Sequence, residues 1–113
     1  MDQEIARKWV KALRSGEYKQ GRGRLRNRDR FCCLGVLCNL HAQAHPKIAS
    51  EQLNTTSYLG EEYALPSIVM NWAGVSSPNG LLHYRGGGLA TMNDTGASFD
   101  QIAQVIADHW REL

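Results

Sequence analysis

The run "DRFCCLGVLCN", residues 29–39, decides how this chain is read. It holds three cysteines among Leu, Val and Phe, directly behind a stretch dense in arginine. A zinc site would need paired ligand clusters. Cys38, His41 and His45 do fall at i, i+3, i+7 on one helical face, but no second cluster supplies a clear fourth ligand. A catalytic thiol needs a histidine or a cation beside it, and His41, His83 and His109 are the histidines that folding would have to deliver. Free cysteines otherwise pack as small hydrophobes. Cys33, Val36, Leu37, Leu40 and Ala44 make a helical stripe from Phe31 to Ala44, and Pro46 ends it. The run therefore reads as a buried helix, with no metal, no cofactor and no catalytic residue assigned.

In front of it, Lys19, Arg22, Arg24, Arg26, Arg28 and Arg30 are opposed only by Asp29, although the whole chain carries a net charge of just +2. A positive field so local suits an anionic partner at one place better than a coating of nucleic acid. Residues 17–30 alternate: Arg22, Arg24 and Arg26 would share one face of a strand, with Gly21, Gly23 and Leu25 on the other. Asn27 to Asp29 reads as a turn, so a hairpin or a loop is expected.

Working outward, residues 2–15 read as an amphipathic helix with Ile5, Trp9, Ala12 and Leu13 inward, Asp2 as N-cap and Gly16 as its stop. Residues 47–65 are weakly patterned and read as loop with one short strand. Leu65-Pro66 opens a short helix through Ile68, Val69, Trp72 and Ala73, stopped by Gly74. Ser98 and Gln101 form a capping box for a last helix with Phe99, Ile102, Ala103, Ile106, Trp110 and Leu113 on one face. With no repeat and no linker, the 113 residues predict one small α+β domain, residues 1–113, of three or four helices with short antiparallel strands. No apolar run is long enough to cross a membrane, and the acidic Met1-Asp2-Gln3-Glu4 start has no signal-peptide core behind it. An odd number of cysteines then favours reduced thiols and a cytoplasmic location.

The chain also holds the groups that a phosphorylated, hydroxyl-rich ligand would need. Arg22, Arg24 and Arg26 offer guanidinium forks, and Gly21 and Gly23 allow close backbone approach; the bland alternative is a solvated basic hairpin. In "TMNDTGAS", residues 91–98, Asn93 and Asp94 can bond hydroxyls or a base edge, and the helix N-terminus beyond is an anion seat. An Asx turn leading into the Ser98 cap explains the same residues without a ligand. In "LLHYRGGG", residues 81–88, His83 and Tyr84 can stack, Arg85 adds charge and the glycines suit a lid. Phosphate-loop, dinucleotide-binding and common hydrolase signatures are absent.

"KWVKALRSGEYKQGRGRLRNRDRFCCLGVLCNL" together with "LATMNDTGASFDQIAQVIA" resembles small proteins common in phage and prophage genomes, and within them is similar to the Thoeris anti-defence 1 family of signal sponges. The resemblance covers residues 7–40 and 89–107. It implies sequestration of a cyclic ADP-ribose isomer or a cyclic oligonucleotide without cleavage. It also implies a homo-oligomer, a dimer or a trimer of dimers, in the cytoplasm of a host bacterial cell. Thr91 and Asn93 align with that family's ligand-contacting segment, which makes Arg22, Arg24, Arg26, His83, Tyr84, Thr91, Asn93 and Asp94 the expected ligand residues. Two other classes compete: a protein-binding inhibitor of a defence complex, of the anti-CRISPR kind, and a small nucleotide-cleaving enzyme using a Cys or His. Nucleic acid and membranes are not expected partners.

Overall fold

The cysteine-bearing run becomes the central helix of the molecule. In the computed structural model, which describes residues 1–48, 55–83 and 86–113, this helix (α2, Cys33–Ala44) buries every residue from Cys33 to Cys38. It is apolar all round in its first turns because other elements cover all of its sides. The N-terminal helix (α1, Gln3–Arg14) lies against it through Ala6, Trp9 and Leu13, and the Trp9 indole N–H donates to the Cys33 carbonyl at 2.9 Å. As the sequence suggested, Asp2 caps α1, accepting from the Ile5 N–H at 2.9 Å.

Three two-residue strands precede α2: β1 (Lys19–Gln20), β2 (Arg26–Asn27) and β3 (Arg30–Phe31). β2 and β3 form the expected tight hairpin, with Arg28 at φ 58° in its turn. β3 lies between β1 and β2 and pairs with β1 in parallel, which the sequence did not predict. The larger difference is that residues 21–25 are not a strand. They leave the sheet and cross the start of α2, with Leu25 buried and its carbonyl accepting from the Cys32 N–H at 3.2 Å. The crossing depends on Gly35: a Cβ there would sit 1.7 Å from the Leu25 carbonyl oxygen.

Beyond α2 come a short helix (α3, Ser67–Ala73), ended by Gly74 in the left-handed conformation, and a two-stranded ribbon of β4 (Leu81–Leu82) and β5 (Gly87–Gly88). Ile68, expected on the apolar face of α3, is exposed, while Val69 and Ala73 are buried. The ribbon runs directly into α4 (Leu89–Asp94), so the first residues of the 91–98 segment are helical. The last helix (α5, Phe99–His109) packs along α1 and ends in a 3₁₀ turn, Trp110–Glu112. Its capping box is present as predicted, Ser98 Oγ accepting from the Gln101 N–H and Gln101 Oε1 from the Ser98 N–H. The result is an α+β fold with one core, in which no described helix is long and apolar enough to cross a membrane.

Candidate functional site: the arginine segment and helix α4

Asn93 is the residue around which the predicted site is organised, and it faces inward. It is fully buried. Its Oδ1 accepts from Gln20 Nε2 at 2.9 Å and from the Cys33 N–H at 3.2 Å; its Nδ2 donates to the Gly21 carbonyl at 2.8 Å and to Asp94 Oδ1 at 3.2 Å. These bonds occupy both donors and both acceptor positions of the amide. Cys33 is the first residue of α2, so Asn93 satisfies one of that helix's free N–H groups from across the fold. Asn93 is expected from the sequence to read a ribose or a base; in this fold its side-chain amide spends its bonds on the chain itself.

The same contacts fasten the arginine segment to the end of α4. Gln20 Nε2 also donates to the Ala97 carbonyl, Arg22 Nε to the Asn93 carbonyl at 3.2 Å, and the Gly23 N–H to Asp94 Oδ1 at 2.9 Å. Of the predicted ligand residues, Asn93 thus contacts both Arg22 and Asp94. The others are dispersed. Arg24 pairs with Glu62 at 3.7 Å and lies over the Tyr63 ring. Arg26 lies over Phe31, with Nε bonded to the Arg28 carbonyl at 2.6 Å. The single strand face expected for Arg22, Arg24 and Arg26 does not form, because the backbone bends away from the sheet to cross α2. Thr91 is exposed on α4, and His83 is exposed just after β4. Tyr84 and Arg85 lie outside the described residues, as do residues 49–54. The anion seat expected at the start of α5 is occupied by the chain's own capping box.

Charge is distributed unevenly over this surface. Lys19 is paired with Asp29, whose carboxyl is held below its ordinary range chiefly by the Lys19 hydrogen bond, and Arg24 has Glu62. Arg22, Arg26 and Arg30 meet no carboxylate among the described residues. Each instead gives an N–H to a backbone carbonyl, Arg30 Nη1 reaching Gln20 at 3.3 Å.

The thiols take no part. All three are buried and free. Burial pushes Cys32 up to about 11 and Cys33 and Cys38 well above their usual range, so they stay protonated at neutral pH. Cys32 accepts from the Gly35 N–H as the N-cap of α2, and Cys33 donates to the Leu89 carbonyl. His41 Nδ1 bonds the Tyr58 hydroxyl at 2.6 Å, and its ring stacks on His45 and meets Trp72 edge-on. No group of three or more His, Cys, Asp or Glu that could hold a metal occurs among the described residues.

Two open grooves flank α1, and sequence reading missed both. One, of about 680 Å³, lies between α1 and the end of α5 and is lined by Ala6, Arg7, Val10, Lys11, Arg14 and Trp110 among others. The other, of about 450 Å³, lies toward α2 and Trp72. Arg7, Lys11 and Arg14 lie on the outer face of α1, and the packing of α5 beside them turns that face into a groove wall.

Fold and site together define a small α+β protein that displays carbonyl-anchored arginines from a small sheet and the loop beside it, which is clamped onto a buried asparagine. Residues 1–110 match the family described as "domain of unknown function (DUF8296)", and the chain belongs to that family. No curated protein and no solved structure matches it.

Proposed function

We propose that this protein binds an anionic small molecule of the nucleotide class, a cyclic ADP-ribose isomer or a cyclic oligonucleotide, and sequesters it without cleaving it. On this reading it is a phage counter-defence protein working in the cytoplasm of a bacterial host, as its resemblance to the Thoeris anti-defence 1 sponges implies, and it acts as a homo-oligomer. The observation that carries the reading is the state of Arg22, Arg26 and Arg30. Each is oriented by one hydrogen bond to a backbone carbonyl, each lacks a carboxylate partner among the described residues, and each keeps the rest of its guanidinium fork for phosphate oxygens. Such pre-orientation lowers the entropy lost when the anion arrives. The carboxylate of Asp94, in contact with the arginine segment, supplies a hydroxyl-bonding group, and Thr91 and His83 are exposed. The protonated, buried thiols favour binding over covalent chemistry at cysteine.

The test is calorimetry against a panel of cyclic ADP-ribose isomers and cyclic oligonucleotides, with the ligand recovered after heat denaturation and weighed by mass spectrometry. The expected result is micromolar or tighter binding of one panel member, its recovery intact, and a loss of about ten- to a hundredfold in affinity in Arg22→Ala or Arg26→Ala, since a charge-assisted bond to phosphate contributes roughly 1.5–3 kcal/mol. Absence of binding by the wild type to every panel member would sink the reading, and recovery of a cleaved product would replace it with the enzyme.

A further inference from the structure

We infer that the groove between α1 and the end of α5 is a docking site for an acidic amphipathic helix of a partner protein. This site is separate from the arginine segment and does not depend on the nucleotide reading. Its floor is apolar, formed by Ala6 and Val10 of α1, Ala107 of α5 and the half-buried ring of Trp110. Its wall is cationic. Arg7, Lys11 and Arg14 line it, and no acidic side chain does.

Little inside the molecule neutralises that wall. Arg7 shares a 3.0 Å pair with Glu4, both well exposed, and Arg14 bonds the neutral Gln104 at 2.8 Å. A fourth cation, Arg111, lies over the Trp110 ring at 4.5 Å and adds to the positive field. An apolar floor calls for apolar side chains, and a basic wall in which Lys11 and Arg14 meet no carboxylate among the described residues calls for carboxylates beside them.

The shape selects a helix as the carrier. The groove follows α1 from Gln3 to Ser15. The described helix of 12 residues is about 18 Å long, or some three turns. Gln3, Ala6 and Val10 recur at i, i+3, i+7 along the floor, and the small Ala6 and Ala107 leave hollows that a ridge of Leu or Phe at matching spacing fills. The basic wall runs beside this floor, so the acidic residues of the partner belong on the flank of its apolar stripe.

The experiment uses fluorescence anisotropy on the full chain with a labelled helical peptide of about 15 residues, Leu at the heptad seam and Glu on its flanks. A peptide with Lys in place of Glu is the control. Binding of the Glu peptide is expected, weakened by about tenfold or more in Lys11→Glu/Arg14→Glu, which reverses two exposed charges. Ala107→Trp, which fills the groove without changing charge, should weaken it to a similar degree, and Arg22→Ala should leave it unchanged. Circular dichroism first confirms that each variant is folded. The proposal is overturned if the Lys peptide binds as well as the Glu peptide, if no binding occurs below about 1 mM, or if Arg22→Ala removes it. It is equally overturned if sedimentation shows that Ala107→Trp dissociates a homo-oligomer, because the face is then covered by a second copy of this chain.

Discussion

Replacing Asn93 with alanine separates a clamp from a ligand contact. The substitution removes four hydrogen bonds. Two of the partners keep another: Gln20 Nε2 still reaches the Ala97 carbonyl, and Asp94 Oδ1 still accepts from Gly23. The buried N–H of Cys33 and the half-buried carbonyl of Gly21 lose the side-chain partner that held them. An orphaned polar group costs about 1–3 kcal/mol, so two cost roughly 2–6. The lower half of that range is expected because Gly21 can recover some water. A loss of about 3 kcal/mol is large against the 5–15 kcal/mol by which a domain of this kind is stable, and corresponds to a fall of roughly 10 °C in Tm. Urea unfolding and a thermal melt measure it, and amide exchange reports it locally, since the Cys33 N–H should lose its protection. A variant melting within about 2 °C of the wild type would refute the clamp. If that variant also lost affinity for a nucleotide, Asn93 would be a ligand residue after all.

Gly35→Ala should destabilise strongly although the substitution favours the helix by about 1 kcal/mol, because the added methyl would lie 1.7 Å from the Leu25 carbonyl oxygen and 2.6 Å from its carbon. Backbone cannot swing aside as a side chain can, and a cost of about 3 kcal/mol or more, seen as a lowered urea midpoint, is expected; a stabilised variant would contradict the crossing. Cys33→Ser should cost roughly 1–3 kcal/mol, because a hydroxyl on the shorter C–O bond meets the Leu89 carbonyl, 3.6 Å from Sγ, only poorly in its buried setting, and in the native protein all three thiols should resist a thiol reagent until the chain unfolds; rapid native labelling of even one would contradict their burial. His41 should titrate below 6.5, because burial, and then the neighbouring His45, disfavour its charged form. The unfolded chain therefore takes up a proton that the native protein refuses as pH falls below 6.5, and stability should drop through that window; an NMR titration placing His41 at or above 6.5 would refute this.

The elements with strong local signals were legible in the sequence. The Asp2 cap, the Ser98–Gln101 capping box, the Gly74 stop and the apolar run from Cys33 to Cys38 each follow from the chemistry of neighbouring residues, and each is found where expected. Residues 17–30 misled because alternation is equally the mark of a strand and of a loop whose side chains take different partners. Arg22, Arg24 and Arg26 do alternate, but one reaches α4, one Glu62 and one Phe31.

The sequence by itself determined the central helix and the amphipathic helices at the two ends of the chain, because burial of an apolar stripe is a property of spacing alone. Tertiary structure decided the rest. Whether Asn93 faces a ligand or the core depends on Gln20, Gly21 and Cys33, 60 to 73 positions away. Whether Arg7, Lys11 and Arg14 are a solvated face or a groove wall depends on where α5 packs. A polar side chain has the same chemistry in either setting, and only long-range contacts fix which partners it meets.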